Sequence, residues 1–287
     1  MTESRGESAN RLDSILARGV NLPVQGPLLP RLQQFLGNPD SNTDEILGMI
    51  KLDPGLTGRI LQRANSVVHA RGNRIGSMDE AVARIGYREV SRLLMESVAR
   101  RLLARPLHCY GLAPGALWRA SLAGAFAMEE LASHTHRSED TAYTSGLLHA
   151  VGMVLVSQEI ESEGPERLVL GNPFEPGLDE RERRRFGCDH AEVGAALLEL
   201  WGFPDAMTEA VRYQLSPTRS PNVPRLACLL GLALWIRNRQ CAGTGTAARE
   251  GPDPYLVKLA DLDEDGLSRI VGSVGRRLSE AEMLTIG

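Results

Sequence analysis

The residues of this chain best placed to do chemistry are two histidines. His149 falls inside Tyr143–Val156 (Tyr-Thr-Ser-Gly-Leu-Leu-His-Ala-Val-Gly-Met-Val-Leu-Val), which at helical period is apolar nearly all the way round. A low-dielectric site tolerates an imidazole there only as a neutral, hydrogen-bonded ring or as a metal ligand. His190 follows Asp189 and precedes Glu192, the acidic form of a capping box, so it should open a helix. A catalytic divalent ion takes at least three protein ligands with one position open, and a hard ion prefers carboxylate oxygens. Two imidazoles helped by Asp189 or Asp140 would hold zinc weakly. The simpler reading is two core or cap histidines whose nitrogens are satisfied by backbone or by each other.

Other arrangements are weaker. Ser145 lies near His149, but there is no Gly-x-Ser-x-Gly elbow and no acid to orient the ring. Cys188 stands two residues before His190, and adjacency in sequence is not the geometry a Cys-His pair needs. His134-Thr-His136 could chelate a metal on a strand; in a polar connection it is an exposed pair. Gly243-Thr-Gly245 has no strand before it and no P-loop lysine. Arg181, Arg183, Arg184 and Arg185, interrupted by Glu182, form a basic run best read as a solvated face.

The elements that must position these groups are helical. With 287 residues, 43% hydrophobic and 24% charged, the chain has the composition of an ordinary globular protein. A net charge of −4 argues against general binding of nucleic acid or an anionic membrane. Cys109, Cys188, Cys228 and Cys241 have no paired spacing, so neither a zinc ribbon nor a disulfide framework is expected. With no signal peptide and no run long enough to span a bilayer, a cytoplasmic protein is expected.

In chain order, residues 1–10 are polar and expected to be mobile. Amphipathic helices are predicted at 11–18, around Leu32–Leu36 and around Ile46–Ile50, then from Pro54 to about Asn65 behind an Asp53 cap. Ser77 and Glu80 suggest a capping box, with Gly86 ending that helix and another running from Tyr87 to Leu103. Further helices are predicted over 114–133, the Tyr143–Val156 centre, 179–186, 190–200, from Pro204, 223–238 and 263–284. Cys241–Pro254 reads as a mobile loop. Nothing alternates at period two long enough to build a sheet, so the class is all-α.

Together these features resemble the HDOD family, bacterial signalling modules related to HD-type metal-dependent hydrolases. The matching residues are Leu22-Pro23, Asp53-Pro54-Gly55-Leu56 into Ile60-Leu61, Ala64-Asn65-Ser66, Ser77 with Ala81 and Ile85-Gly86, and Leu117-Trp118-Arg119-Ala120-Ser121. They continue with Gly146-Leu147-Leu148-His149-Ala150-Val151-Gly152, Glu182 with Phe186-Gly187, His190-Ala-Glu-Val-Gly194, and Trp201-Gly202-Phe203-Pro204. The resemblance covers about residues 15–285. It implies a helical N-terminal half (15–112) and an HD-like half (113–216), after a flexible 1–14 and before a C-terminal helical extension (217–287) of the same domain.

In HD hydrolases, histidines and an aspartate on neighbouring helices hold divalent metal and activate a water. This chain departs from that pattern. The His-Asp pair is His149-Ala150, the histidine often found between Trp-Arg and Ser is Ala120, and the His-His after the Pro204 helix is Tyr213-Gln214. The resemblance therefore implies a degenerate pocket of Ala120, His149, Ala150, His190, Tyr213 and Gln214, with no catalytic residue, metal or cofactor. The expected function is non-catalytic signal transduction through contact with another signalling protein, by a surface including Arg59, Arg63 and the 171–187 segment. The alternative is a degenerate phosphohydrolase, or a sensor that uses the His149/His190 pocket, with Trp118 and Tyr213 in its lining, to bind a small molecule or nucleotide.

Overall fold

The computed structural model describes residues 11–17, 54–66, 75–135, 139–164, 169–242 and 251–286. The expectations of a mobile segment at 1–10, of helices around Leu32 and Ile46, of the Asp53 cap, of an exposed His136 and of a loop over most of 241–254 fall outside the described residues. Among those described, the only extended pairing is an isolated bridge between Leu107 and Leu112, so the fold is all-α. None of these helices is long and apolar enough to cross a membrane.

The chain divides into two compact units, Val24–Arg101 and the remainder. In the smaller, α1 (Pro54–Ala64) buries Leu56, Ile60 and Ala64, the i, i+4, i+8 stripe of an amphipathic helix. Asn65 ends it and clamps Ile75 from both sides, Nδ2 donating to the Ile75 carbonyl (2.9 Å) and Oδ1 accepting from its N–H (3.0 Å). The Ile75 peptide is thus satisfied without a strand. Ser77 caps α2 (Met78–Leu103) by accepting from the Glu80 N–H. Gly86, at φ 81° and ψ 158°, interrupts α2 where the sequence predicts a terminator.

The larger unit is organised around α3 (Ala116–His134), whose middle is buried on nearly every side. Against it pack α4 (Glu139–Leu148), α9 (Pro224–Cys241) and α11 (Glu264–Ile286). Between α4 and α9 come α5 (Val151–Ser162), α6 (Leu178–Phe186), α7 (His190–Leu200) and α8 (Asp205–Arg212). The last helix is held to α3 by more than its apolar stripe. Arg119 donates to Glu282 (2.5 Å) and to the Gln240 carbonyl (2.6 Å), Ser273 to Glu130 (2.7 Å), and Arg277 pairs with Glu129 and lies over Phe126.

One expectation is corrected. The Tyr143–Val156 stretch is two helices, broken at His149-Ala150, for reasons that belong to the site. A short helix, α10 (Pro254–Leu259), follows the stretch expected as loop; Asp253 caps it by accepting from the Tyr255 N–H (2.8 Å), with proline at its first position. The basic run is solvated over Arg183, Arg184 and Arg185, which are exposed, while Arg181 is half-buried. Arg181 donates to the Leu170 carbonyl (2.5 Å), Arg183 binds Asp189 and Glu192, and Arg185 binds Glu163. Arg184 reaches no further than the Glu180 carbonyl.

Candidate functional site

The site forms where α4 stops. His149 has no exposed surface, and its Nδ1 lies 2.7 Å from the Gly146 carbonyl oxygen, three residues back. A carbonyl can only accept, so Nδ1 carries the proton and Nε2 carries the lone pair. Breaking the helix leaves the His149 carbonyl without an N–H from the next turn, because Met153 donates to Ala150 instead (3.0 Å). Gln214, just past α8, fills that role: its Nε2 donates to the His149 oxygen at 2.9 Å. The break is a side chain and a distant amide jointly replacing two backbone bonds.

Glycines allow the helices carrying these groups to meet. A Cβ on Gly146 would lie 2.7 Å from the Gly124 carbonyl carbon, and one on Gly124 would lie 3.1 Å from the His149 ring. A Cβ on Gly152 would lie 2.5 Å from the Gly194 nitrogen and closer still to the His190 oxygen. The α3–α4 and α5–α7 crossings are therefore backbone against backbone, on either side of His149.

The second histidine is held by a buried acid. Glu182 accepts from the His190 N–H (2.9 Å) and its Nδ1 (2.7 Å) through Oε2, and from the Tyr110 hydroxyl (2.6 Å) through Oε1. Burial would disfavour both charges. The attraction between them wins, lowering the Glu182 pKa and raising that of His190, so carboxylate and imidazolium stabilise each other. Asp189 is turned to its capping role, accepting from the Glu192 N–H (2.9 Å) and pairing with Arg183. Asp189→Ala is expected to cost about 1 kcal/mol, the usual loss for an N-cap, measured as a shift in the urea midpoint at unchanged slope.

The third member is one that sequence reasoning missed. Arg237 of α9 is 7% exposed, and its Nη1 lies 2.7 Å from His149 Nε2. Its Nε and Nη2 donate to Asn238 Oδ1 (3.0 and 2.8 Å), and Phe174 covers its face at 5.5 Å. Burial lowers the Arg237 pKa to about 10, which leaves it charged at neutral pH. Burial first, then the Arg237 charge, drives His149 well below the ordinary imidazole value, so the ring is neutral. A signal in the sequence could have found both Arg237 and Glu182, since each is a charged residue on an otherwise buried helical stripe. Glu182 stands between Leu178 and Phe186 on the buried stripe of α6, and Arg237 continues the Leu230, Ala233 face of α9.

Of the expected pocket residues, Ala120 and Ala150 are buried and small, and Gln214 reaches His149 through its carbonyl. Tyr213 caps α8 and is half-buried. Trp118 does not line this site: it lines a groove of about 370 Å³ with Arg119, Leu278 and Glu282. His134 Nε2 meets the Asp261 carbonyl at 3.0 Å. Ser145 donates to the Thr141 carbonyl (2.7 Å), and burial pushes the Cys188 thiol up to about 12, so neither is an activated nucleophile.

The fold implies a metal that these residues do not fit. Among those described, no three His, Cys, Asp or Glu side chains converge as a metal needs, and the free nitrogen of His149 faces a guanidinium.

The chain belongs to the HDOD domain family, whose model matches residues 22–217. An uncharacterized protein of Treponema pallidum (strain Nichols) is 29% identical over 217 residues, 72% of this chain; the chain spans 40% of that relative's length. A crystal structure from Marinobacter aquaeolei VT8, provisionally named a signal transduction protein, matches at TM-score 0.71 and 24% identity over 98% of this chain and 66% of its own. Another from Shewanella amazonensis SB2B, provisionally named a phosphohydrolase, matches at 0.63 and 22% over 92% and 98%. An HDOD domain protein with unknown function from Geobacter sulfurreducens matches at 0.59 and 21% over 97% and 95%. These structural likenesses are of fold.

Proposed function

We propose that this chain is a non-catalytic regulatory module of bacterial signal transduction, working in the cytoplasm by contact with another signalling protein. The observation that carries this reading is Ala150 at the helix break, with Asp140 at the far end of α4 and Asp189 turned away into a cap. Without a carboxylate beside His149 there is no ligand set to lower the pKa of a water. What remains for contact is surface: in the smaller unit the α1 face that carries Arg59 and Arg63, and in the larger the 171–187 segment. The test is the metal content of the purified protein together with phosphodiesterase assays on a cyclic nucleotide and a cyclic dinucleotide. Substoichiometric metal and no turnover are expected. Stoichiometric metal, or turnover abolished by His149→Ala, would overturn the reading in favour of a degenerate hydrolase.

One observation favours a second reading, in which the residual pocket senses a small molecule or nucleotide. Gln214 Oε1 is buried beside the His149 peptide and has no hydrogen-bond partner, an arrangement with an acceptor to spare. A thermal-shift screen with nucleotides separates the two: no response removes the sensor.

A further inference from the structure

We propose that Arg237 is the resident cation of this site: its guanidinium takes the place that the fold gives to a metal, and the C-terminal extension that carries it completes the site. This deepens the regulatory reading and rests on different observations.

The first is the pose of His149. A metal-bound histidine characteristically donates one ring N–H to a carbonyl and turns the other nitrogen's lone pair to the ion. His149 does both, with the Gly146 oxygen on Nδ1 at 2.7 Å and Arg237 Nη1 on Nε2 at 2.7 Å. The second is the charge. Arg237 is buried, yet the acceptors it meets among the described residues are a neutral imidazole and its neighbour's amide, with no carboxylate among those residues paired to it. An uncompensated buried cation is costly. Here it meets the residue that follows the last turn of α4, the end of a helix at which a positive charge is favoured. The third is its origin. Arg237 lies on α9, beyond the 22–217 stretch matched by the family model, and α9 packs along α3 and also meets α4 and α8. The segment after residue 217 thus supplies the group that occupies the histidine.

The consequence is that restoring the missing acid does not restore a metal. Zn²⁺ binding is compared by calorimetry in Ala150→Asp, Ala150→Asp/Arg237→Ala and Ala150→Asp/Arg237→Lys, each checked for helical content. A fixed positive charge beside the ligands repels a dication, so the Arg237→Ala double variant is expected to bind at least about tenfold tighter than Ala150→Asp alone. The Arg237→Lys double variant keeps the charge and is expected to stay weak. Equal affinity in the first two, or zinc taken up as well by the lysine variant, would overturn the proposal.

A second measurement uses the unaltered chain. Long-range ¹H–¹⁵N spectra at neutral pH should show His149 protonated at Nδ1, with Nε2 an unprotonated acceptor; a proton on Nε2 would equally overturn it. Cyclic dinucleotide turnover by the unaltered chain that survives His149→Ala would sink the regulatory reading and leave this one standing.

Discussion

Gly152→Ala should be among the most damaging single-methyl changes this protein can suffer. Its Cβ would fall 2.5 Å from the Gly194 nitrogen and nearer still to the His190 carbonyl, both of them backbone. A flexible side-chain tip could swing aside, but a helix backbone cannot, so α5 and α7 must separate along their crossing. Overpacking of this kind costs roughly 1–3 kcal/mol and occasionally more, and the absence of any movable partner puts this case at the upper end. For a chain of this size about 3 kcal/mol lowers Tm by roughly 6–12 °C.

Gly146→Ala should behave similarly, since its Cβ meets the Gly124 carbonyl carbon at 2.7 Å and Ala125 Cα at 2.8 Å. Gly58→Ala is the control. It lies exposed in α1 with nothing within 4 Å, so the same methyl should stabilise by about 0.5–1 kcal/mol through helix propensity and a less flexible unfolded chain. Denaturant midpoints of the variants decide the matter. A Gly152→Ala protein as stable as Gly58→Ala would mean that the crossing is not backbone against backbone.

The same glycines show why the sequence disclosed some of the site and not the rest. Small residues between large apolar ones in Gly146–Gly152 mark a buried, closely packed segment, and the 3.6-residue period marks helix. Neither carries information about a break, because the break comes from bonds to groups distant in sequence: the Gly146 carbonyl is taken by a ring, and the His149 carbonyl by Gln214. The Asp189 capping box was legible because all its parts lie within four residues.

Arg237 and Glu182 could have been found by asking which charged residues fall on an otherwise buried helical stripe. What each was paired with could not, since their partners come from elsewhere in the fold. For the basic run, exposure was legible and bonding was not. Alternation with glutamate suggests a solvated face, and Arg183, Arg184 and Arg185 are exposed, but the loop carbonyl that Arg181 meets and the helix cap that Arg183 meets lie outside the run. Trp118 and His149 sit on neighbouring motifs of the resemblance, yet the tryptophan turns toward α11, which the matched stretch does not contain.

Glu182→Ala is the substitution expected to rival the glycine variants, and it carries a pH signature that they lack. It removes the acceptor for three buried donors at once, the Tyr110 hydroxyl and the His190 N–H and Nδ1–H. Removing one partner of a buried ion pair costs about 3–5 kcal/mol, because the other is left desolvated. The folded-state pKa of Glu182 lies below its ordinary 4.5, so its contribution is present above that value and is lost as pH falls through the folded pKa. The folded-state pKa of His190 lies above 6.5, so its contribution is complete below 6.5 and is lost as pH rises through the folded pKa. The pair therefore stabilises most between about 4.5 and 6.5.

His149 pulls the other way. It is neutral when folded, so its environment costs stability as pH drops below 6.5. That opposing term is common to wild type and variant and cancels in their difference. The stability gap between wild type and Glu182→Ala should then be widest near pH 5.5, the middle of that window, and should shrink on both sides. Glu182→Gln, which keeps the shape and one acceptor, should show a smaller gap without the narrowing above pH 6.5. A gap that is flat from pH 5 to pH 8 would mean that Glu182 and His190 meet as neutral groups, and that the acid holds the ring by hydrogen bonding alone.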